Sequence, residues 1–328
     1  MTGRRMIAWG VCLGLAVALC GCGKDGDDGD SHNTTLAFVA GASTDFWTFA
    51  RRGCEQADRE LDDVTVEFRF TTDGTAVEQR RVLEDLQTRR IDGIAVTPLD
   101  PANQGPLIDR LAGQIPVVIT DSDIPECRRQ CYVGTNNVDA GREAGRLLRE
   151  LLPNGGKVML FVGKKDAQNA KERIEGLSEA IRDTQIEVVD IRTDDIDRVR
   201  AKANVNDTLV KYPEIECFVG LWSYNGPAIL HALKDAGKLG QVKVICFDEE
   251  EDALQGIKDG HIYASVVQQP FEFGYQAIHL LARIVKGDAS GIPPDKQIII
   301  PTRVIKQQDA GEFMDKMQAL RLGESVSR

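Results

Sequence analysis

The segment that decides the fold reads Ile115-Pro116-Val117-Val118-Ile119-Thr120. It contains no charged side chain and does not alternate between apolar and polar residues. A strand of this composition is buried on both faces, and sheets whose two faces are both covered are typically parallel. The segment therefore predicts a central strand of a parallel sheet that is covered by helices.

Comparable apolar segments recur along the chain at nearly fixed spacing. They are residues 36–40, 64–70, 93–97, 157–162, 186–191, 215–220, 242–247 and 262–267. Helical patterns lie between them, and residues 138–152 place their apolar side chains on one stripe. Strands that alternate with helices predict right-handed βαβ units and parallel sheets.

The segments form two sets. The first set ends with residues 115–120, and Gly155-Gly156-Lys157-Val158 restarts the pattern. A late strand-like segment, residues 298–305, does not continue the alternation, which indicates that the chain crosses back between the sets. The sequence thus predicts an α/β fold with two similar lobes, each a parallel sheet flanked by helices.

The N-terminal residues are typical of an export signal. Arg4 and Arg5 precede an apolar stretch, residues 6–19, that is too short for a comfortable membrane span. The stretch ends in Leu19-Cys20-Gly21-Cys22, which resembles a bacterial lipobox. We therefore predict a lipoprotein signal peptide over residues 1–21 and a lipid on the thiol of Cys22. Residues 22–33 are predicted to form a flexible acidic tether, because residues 24–31 have no apolar side chain to bury.

The charge of the chain argues against nucleic acid as a partner. The formal net charge is −11, and loss of Arg4 and Arg5 lowers Lys plus Arg from 40 to 38 against 51 acidic residues, a net −13. A surface of this charge repels phosphate backbones. The roughly 300 residues that remain are enough for two lobes of ordinary size.

The cysteines and histidines do not indicate a metal site. No CxxC pair or Cys/His cluster follows Cys22, so we expect neither zinc nor another cofactor. Cys127 and Cys131 lie in a polar loop, where one helical turn would bring their Cα atoms to roughly 6 Å, and we predict a disulfide between them. By contrast, Cys54, Cys217 and Cys246 lie in apolar patterns and are expected to be buried.

Polar and aromatic residues follow the predicted strands. Ligands of open parallel sheets bind beyond the carboxyl ends of the strands. Sugars pack their C–H faces on aromatic rings and exchange hydrogen bonds with planar polar groups. We therefore predict a site for a small sugar or polyol. Its candidate residues are Thr44, Phe46, Trp47, Asp121, Ser122, Arg173, Trp222, Asn225, Asp248 and Gln268.

Several short motifs, in this order and spacing, resemble the periplasmic sugar-binding proteins of the ribose-binding type, whose core is shared with LacI-type repressors. The motifs are Ile115-Pro116-Val117-Val118-Ile119-Thr120-Asp121-Ser122, Tyr132-Val133-Gly134-Thr135-Asn136-Asn137 leading to Gly141, Ala170-Lys171-Glu172-Arg173-Ile174-Glu175-Gly176, Val244-Ile245-Cys246-Phe247-Asp248 and Val266-Val267-Gln268-Gln269-Pro270. The resemblance covers residues 35–305, nearly all of the predicted fold.

The resemblance implies a periplasmic binding protein-like fold of type I. Its first lobe would comprise residues 34–135 plus 269–299, and its second lobe residues 136–268 plus 300–328. Three crossings, near residues 135–137, 268–270 and 300–302, would join the lobes.

The resemblance also implies roles for individual residues. Phe46 and Trp47 would sandwich the sugar ring. Hydroxyl groups would be bound by Asp121, Arg173, Asp248 and Gln268.

Three positions depart from the ribose binders. Thr44 stands where they carry an asparagine, Ser122 where they carry an arginine, and Trp222 near another of their asparagines. These departures favour a ligand of a different shape from ribose. The resemblance further implies a monomer, periplasmic or at the cell surface, that delivers its ligand to an ABC permease.

Other functions remain open at this stage. A sensor that presents bound sugar to a membrane kinase would use the same lobes. A carbohydrate-active enzyme would need two carboxylates about 5–10 Å apart, a pairing available to Asp121 and Asp248, but no nucleophile elbow, P-loop or metal motif accompanies them. The run Asp248-Glu249-Glu250-Glu251-Asp252 does not predict a calcium site, because adjacent acids do not point one way.

Replacing Cys22 with serine tests the lipobox. Serine offers no thiol for the lipid, so we expect the variant to leave the membrane fraction and to keep residues 1–21. Cell fractionation and intact mass measure both effects. Unchanged cleavage and membrane association would contradict the prediction.

Overall fold

The structure is a computed structural model that describes residues 33–323. The predicted signal peptide, Cys22 and all of the predicted tether except Asn33 lie outside these described residues. None of the helices between residues 33 and 323 combines the length and apolarity that a membrane span requires.

The first lobe alternates strands and helices from the start of the described chain. Its elements are β1 (Thr34–Ala42), α1 (Asp45–Glu60), β2 (Val64–Thr71), α2 (Ala76–Thr88), β3 (Gly93–Val96), α3 (Pro101–Ala112), β4 (Val117–Thr120) and β5 (Cys131–Gly134).

The second lobe repeats the alternation before the chain returns. Its elements are α4 (Asn137–Leu151), β6 (Gly156–Val162), α5 (Gln168–Ile181), β7 (Ile186–Thr193), α6 (Arg198–Lys211), β8 (Cys217–Gly220), α7 (Asn225–Asp235), β9 (Lys243–Phe247), α8 (Glu251–Lys258) and β10 (Ala264–Val267). Then α9 (Pro270–Val285) and β11 (Gln297–Ile299) join the first lobe, and β12 (Arg303–Lys306) and α10 (Gln307–Leu322) join the second.

The two sheets have equivalent strand orders. One runs β11-β5-β4-β3-β1-β2 and the other β12-β10-β9-β8-β6-β7. Every pairing is parallel except that of β10 with β12, which is antiparallel. The prediction of two parallel sheets flanked by helices is confirmed, with one antiparallel edge strand added. Two consecutive strands that pair in parallel must be joined by a crossover connection. β12 instead follows β11 of the other sheet after only residues 300–302, so it can run antiparallel to β10.

The late segment differs from its prediction. Residues 298–305 were expected to form one strand, but the structure has β11 and β12 in different sheets, separated by residues 300–302. The apolar-segment pattern also missed β5, whose sequence Cys131-Tyr132-Val133-Gly134 is short and follows a polar loop. Its side chains are nevertheless all buried.

The predicted disulfide is absent, because Cys127 and Cys131 are both free cysteines. No helical turn joins them, since Cys131 begins an extended strand. Cys131 packs in the core that contains Phe38, whereas Cys127 packs against the core that contains Ile119. Cys54, Cys217 and Cys246 are buried, as expected.

Two glycines allow α4 and α5 to touch through their backbones. A Cβ atom added at Gly141 would lie 2.1 Å from the carbonyl oxygen of Arg173, and one at Gly176 would lie 1.9 Å from that of Val138. No side chain fits at these distances. The contact determines how deeply Arg173 on α5 enters the protein.

Replacing Gly176 with alanine should separate the two helices. We expect a loss of about 3 kcal/mol in the free energy of unfolding, because the new methyl group meets a backbone oxygen that cannot move alone. The control is Gly311→Ala in α10, where nothing lies within 4 Å, and a gain of about 0.5–1 kcal/mol is expected. Urea unfolding measures both, and equal effects would contradict the account.

Candidate ligand-binding site

The carboxyl ends of the two sheets face a common cleft. A cavity of about 930 Å³ opens there, lined by Asn103 and Asp123 from the first lobe and by Lys164 and Thr193 from the second. Ligand pockets in proteins commonly have volumes of about 300–1,000 Å³. The cavity is therefore large enough for a small ligand and has walls from both lobes, but none of the ten candidate residues lines it.

Two aspartates occupy equivalent places at the carboxyl ends of central strands, and neither lines that cavity. Asp121 follows β4 with φ 62°, and Asp248 follows β9 with φ 66°. The hydroxyl of Tyr132 donates to the carbonyl oxygen of Asp121 at 3.0 Å, and the hydroxyl of Ser265 donates to that of Asp248 at 2.6 Å. A left-handed backbone is uncommon for residues other than glycine and tends to occur at functional sites. Each lobe thus has one aspartate in the left-handed conformation, with its carbonyl oxygen bonded to a hydroxyl group of the next strand.

Arg173 is buried among groups of the second lobe, with 1% of its surface exposed. Its Nε donates to Asn137 Oδ1 at 2.9 Å and its Nη1 donates to the carbonyl oxygen of Leu221 at 2.6 Å. Its guanidinium lies 4.5 Å from the ring centroid of Phe247. The planar group is therefore held rigidly by three separate elements.

Arg173 affects the pKa values of both aspartates. Burial raises the pKa of Asp121 to about 7, and the guanidinium of Arg173 opposes this shift while Asp248 adds to it. Burial also raises the pKa of Asp248, against the effects of Arg173 and of a hydrogen bond from Gln268. Such mutual effects require the three groups to lie near one another. The site therefore combines carboxyl groups from both lobes with one shared cation.

Several buried polar atoms have no partner. Among residues 33–323, no hydrogen bond is made by Arg173 Nη2, Trp222 Nε1 or Gln268 Oε1. An unpaired buried polar group costs about 1–3 kcal/mol, so nearly all such groups are hydrogen bonded in proteins. Two donors and one acceptor are thus available to a bound molecule. A ligand with hydroxyl groups matches them, because a hydroxyl both donates and accepts.

The aromatic residues are present, but not as a sandwich. Phe46 and Trp47 contact each other edge to face, with ring centroids 4.8 Å apart and planes at 85°. No sugar ring fits between them, since a sandwich requires parallel faces on either side of the ring. Trp47 lies against Gly41, and Trp222 lies against Gly163 at the end of β6. Each indole ring thus packs against a glycine at the end of a strand.

Asn225 supports the site from behind. Its Oδ1 accepts from the backbone N–H of Trp222 at 3.0 Å, and its Nδ2 donates to Asp194 Oδ2 at 3.1 Å. The hydroxyl of Tyr224 donates to Asp194 Oδ1 at 2.5 Å. The predicted ligand-binding amide is therefore engaged in fixing the loop that carries Trp222.

Sequence reasoning missed Asn137, Asp194 and Tyr224 as site residues. Asp194 follows β7 directly, and Asn137 belongs to one of the quoted motifs. The position of each residue therefore indicated a place in the candidate site. Their roles depend on side-chain partners 30 to 36 residues away along the chain. Nothing in the local sequence identifies such partners.

Thr44 and Ser122 occupy the expected strand ends with different surroundings. Thr44 is the residue before α1, is half-buried and makes no side-chain capping bond within the described residues. Ser122 is buried, and its backbone N–H donates to the carbonyl oxygen of Thr120.

The acidic side chains after β9 take different partners. Asp248 is hydrogen bonded to Gln268, and the side chains that follow take separate partners or directions. Ion pairs join Glu250 to Arg198, Glu251 to Arg321 and Asp252 to His231. Within residues 33–323 no group of His, Cys, Asp or Glu is arranged to hold a metal ion.

The comparisons with known proteins agree with this architecture. The profile of the periplasmic binding protein domain matches residues 36–289. This chain belongs to that family. The curated relatives include the ribose import binding protein of Bacillus subtilis, 26% identical over 80% of this chain and 86% of the relative. They also include the D-allose-binding periplasmic protein of Escherichia coli, 27% identical over 77% of this chain and 85% of the relative.

Solved structures show the same fold. The glucose-galactose binding protein GanP of Geobacillus stearothermophilus has a TM-score of 0.79 at 29% identity, covering 84% of this chain and 98% of that one. An ABC transporter solute-binding protein of Burkholderia graminis, solved in complex with D-arabinose, has a TM-score of 0.80 at 28% identity, covering 85% and 97%. The family consists of binding proteins that act outside the cytoplasm.

Replacing Asp121 with asparagine should change how stability depends on pH. The folded protein keeps a proton on Asp121 up to about pH 7, whereas the unfolded chain releases it near pH 4. The raised pKa therefore costs the protein stability as pH rises from about 4 to 7, by up to about 4 kcal/mol. The asparagine variant escapes this cost, so its gain in melting temperature over the unaltered protein should grow from pH 5 to pH 8.

Differential scanning calorimetry measures this gain. The control is Asp183→Asn, which alters an exposed aspartate and should shift the melting temperature little at any pH. A gain for Asp121→Asn that does not vary with pH would contradict the assignment.

Proposed function

We propose that this periplasmic binding protein captures a small sugar or polyol between its lobes and delivers it to an ABC permease. The observation that carries the proposal is the pair of buried donors without acceptors, Arg173 Nη2 and Trp222 Nε1. They accompany carboxyl groups from both lobes, Asp121 and Asp248. A polyhydroxylated molecule supplies acceptors for the donors and donors for the carboxylates.

The aromatic residues support a sugar over other polar ligands. The indole rings of Trp47 and Trp222 each pack against a glycine, one in each lobe. Sugar C–H groups pack on such rings, while an inorganic anion would make no use of them. The carboxyl groups also disfavour an anion at this place.

The relatives narrow the ligand to monosaccharide-sized molecules. Their names refer to ribose, allose, glucose-galactose and D-arabinose. Ser122 stands where ribose binders carry an arginine, and Trp222 adds a bulky ring. We therefore propose a pentose, hexose or polyol other than ribose.

Binding would close the lobes. Asp121 and Trp47 belong to the first lobe, and Arg173, Trp222 and Asp248 belong to the second. A ligand that contacts both sets binds the closed arrangement more tightly, and so shifts the population toward it. The chain segments between the sheets, near residues 135–137, 268–270 and 300–302, would act as the hinge.

The location follows from the N-terminal prediction. A lipid on Cys22 would hold the protein at the outer side of a membrane, with residues 22–33 as the tether. A tethered monomer can meet a permease in the same membrane. The names of the ribose relatives describe import, which favours transport over presentation to a membrane kinase.

A thermal-shift screen against pentoses, hexoses, polyols and inositols tests the proposal. At a thousandfold excess over its dissociation constant, the true ligand adds about 4 kcal/mol of stability. Small-angle scattering of the protein with that ligand should show a smaller radius of gyration than without it. A screen with no stabilising sugar or polyol would refute the proposed ligand class.

Two conservative variants then test the site by calorimetric titration. Arg173→Lys keeps the charge but loses the planar group, and should weaken binding by about 2–5 kcal/mol. Trp222→Phe keeps a ring but removes the Nε1 donor, and should cost about 1–2 kcal/mol. The matched control is Arg146→Lys, because Arg146 is exposed on α4. Unchanged affinity in both site variants would place the ligand elsewhere.

A further inference from the structure

A second cavity lies at the seam between the lobes, away from the open cleft. It has a volume of about 310 Å³ and lies between α1, α9 and α10. We call it the seam cavity. Its apolar walls are formed by Phe49, Phe271, Phe313, Met317 and Leu320. Of the ten candidate residues of the sugar site, Gln268 alone lines it.

A buried glutamate without partners borders the seam cavity. Glu249 is 3% exposed, and neither of its carboxyl oxygens has a hydrogen-bond partner among residues 33–323. Burial and the neighbouring charge of Asp248 raise the pKa of Glu249 well above its usual range, which favours the neutral form of the group. A neutral carboxyl can donate one hydrogen bond and accept others.

A second buried group borders the cavity beside Glu249. Gln268 is 4% exposed, and its Oε1 accepts no bond from the described residues, while its Nε2 donates to Asp248. Because the sugar site also has a claim on Gln268 Oε1, the hydroxyl of a ligand in the seam cavity would bond to Glu249, whose two carboxyl oxygens both lack partners among the described residues. The buried end of the seam cavity therefore matches one hydroxyl group.

The exposed end of the cavity is cationic. Arg303 is exposed and Lys316 is half-buried, and neither forms an ion pair within the described part of the chain. Arg52 and Arg59 also line this cavity. Two carboxylates line it as well, and each already accepts a hydrogen bond: Glu60 from Tyr275 and Glu272 from Gln276.

We propose that the seam cavity is a second ligand-binding site, for a small organic acid with an apolar body and a hydroxyl group remote from its carboxylate. The carboxylate would meet Lys316 and Arg303, the body would pack on Phe49 and Met317, and the hydroxyl would reach Glu249. The cavity volume of about 310 Å³ lies at the lower end of the range of pockets that hold small ligands. This site shares Gln268 with the proposed sugar site, whereas Arg303, Lys316, Phe49 and Met317 belong to the seam cavity and not to the sugar site.

Calorimetric titration of the full chain with 4-hydroxybenzoate tests the proposal. This probe has an acid at one end, a ring and a hydroxyl at the other. We expect binding that is at least tenfold tighter than that of 4-hydroxybenzamide, which lacks the charge, and tighter than that of benzoate, which lacks the hydroxyl. No binding of 4-hydroxybenzoate at millimolar concentration, or equal binding of 4-hydroxybenzylamine, would overturn the proposal.

Variants locate the bound probe. Met317→Trp fills the cavity and should abolish binding of 4-hydroxybenzoate. The double variant Arg303→Ala with Lys316→Ala alters only side chains outside the core, and should weaken binding at least fivefold. The control is Lys234→Ala, an exposed lysine of α7 that does not line the cavity, and its affinity should be unchanged.

Thermal unfolding of each variant checks the fold. If Met317→Trp unfolds, the double variant still decides the matter, because its substitutions do not touch the apolar walls. Unchanged affinity in the double variant would place the probe outside the seam cavity and overturn the proposal.

Discussion

The buried guanidinium of Arg173 is the interaction on which the arrangement of the site depends. Asp121 from one lobe and Asp248 from the other are both buried, and two buried carboxyl groups repel each other when ionised. Arg173 opposes the rise in pKa of both. A charge removed from water in this way is tolerated only with good hydrogen-bond partners, which Asn137 and the carbonyl of Leu221 supply.

The depth of Arg173 follows from helix packing. Gly141 and Gly176 let the backbones of α4 and α5 meet, and any side chain at either position would collide with a carbonyl oxygen. Helix α5 therefore lies close enough to α4 for Arg173 to bond to Asn137 and to the carbonyl oxygen of Leu221. Two residues with no side chain thus determine where the site's central charge lies.

The two lobes contribute to the cleft by equivalent means. Each ends a central strand with an aspartate in the left-handed region, and each secures that aspartate's carbonyl with a hydroxyl from the next strand. Each also places an indole over a glycine. Strained left-handed residues are common at functional sites, so these two aspartates support the proposed site.

The sequence by itself determined the two α/β lobes and most of the candidate residues, because apolar periodicity is local and ligand sites follow strand ends. It did not determine the partners of those residues. The edge-to-face contact of Phe46 with Trp47, the use of Asn225 within its own loop and the separation of Cys127 from Cys131 all depend on groups distant in the chain or on backbone direction. The lack of hydrogen-bond partners for Glu249 among the described residues likewise depends on the packing of α1, α9 and α10. Tertiary structure decided these features, because hydrogen-bond satisfaction and burial are properties of the packed neighbourhood and not of the local sequence.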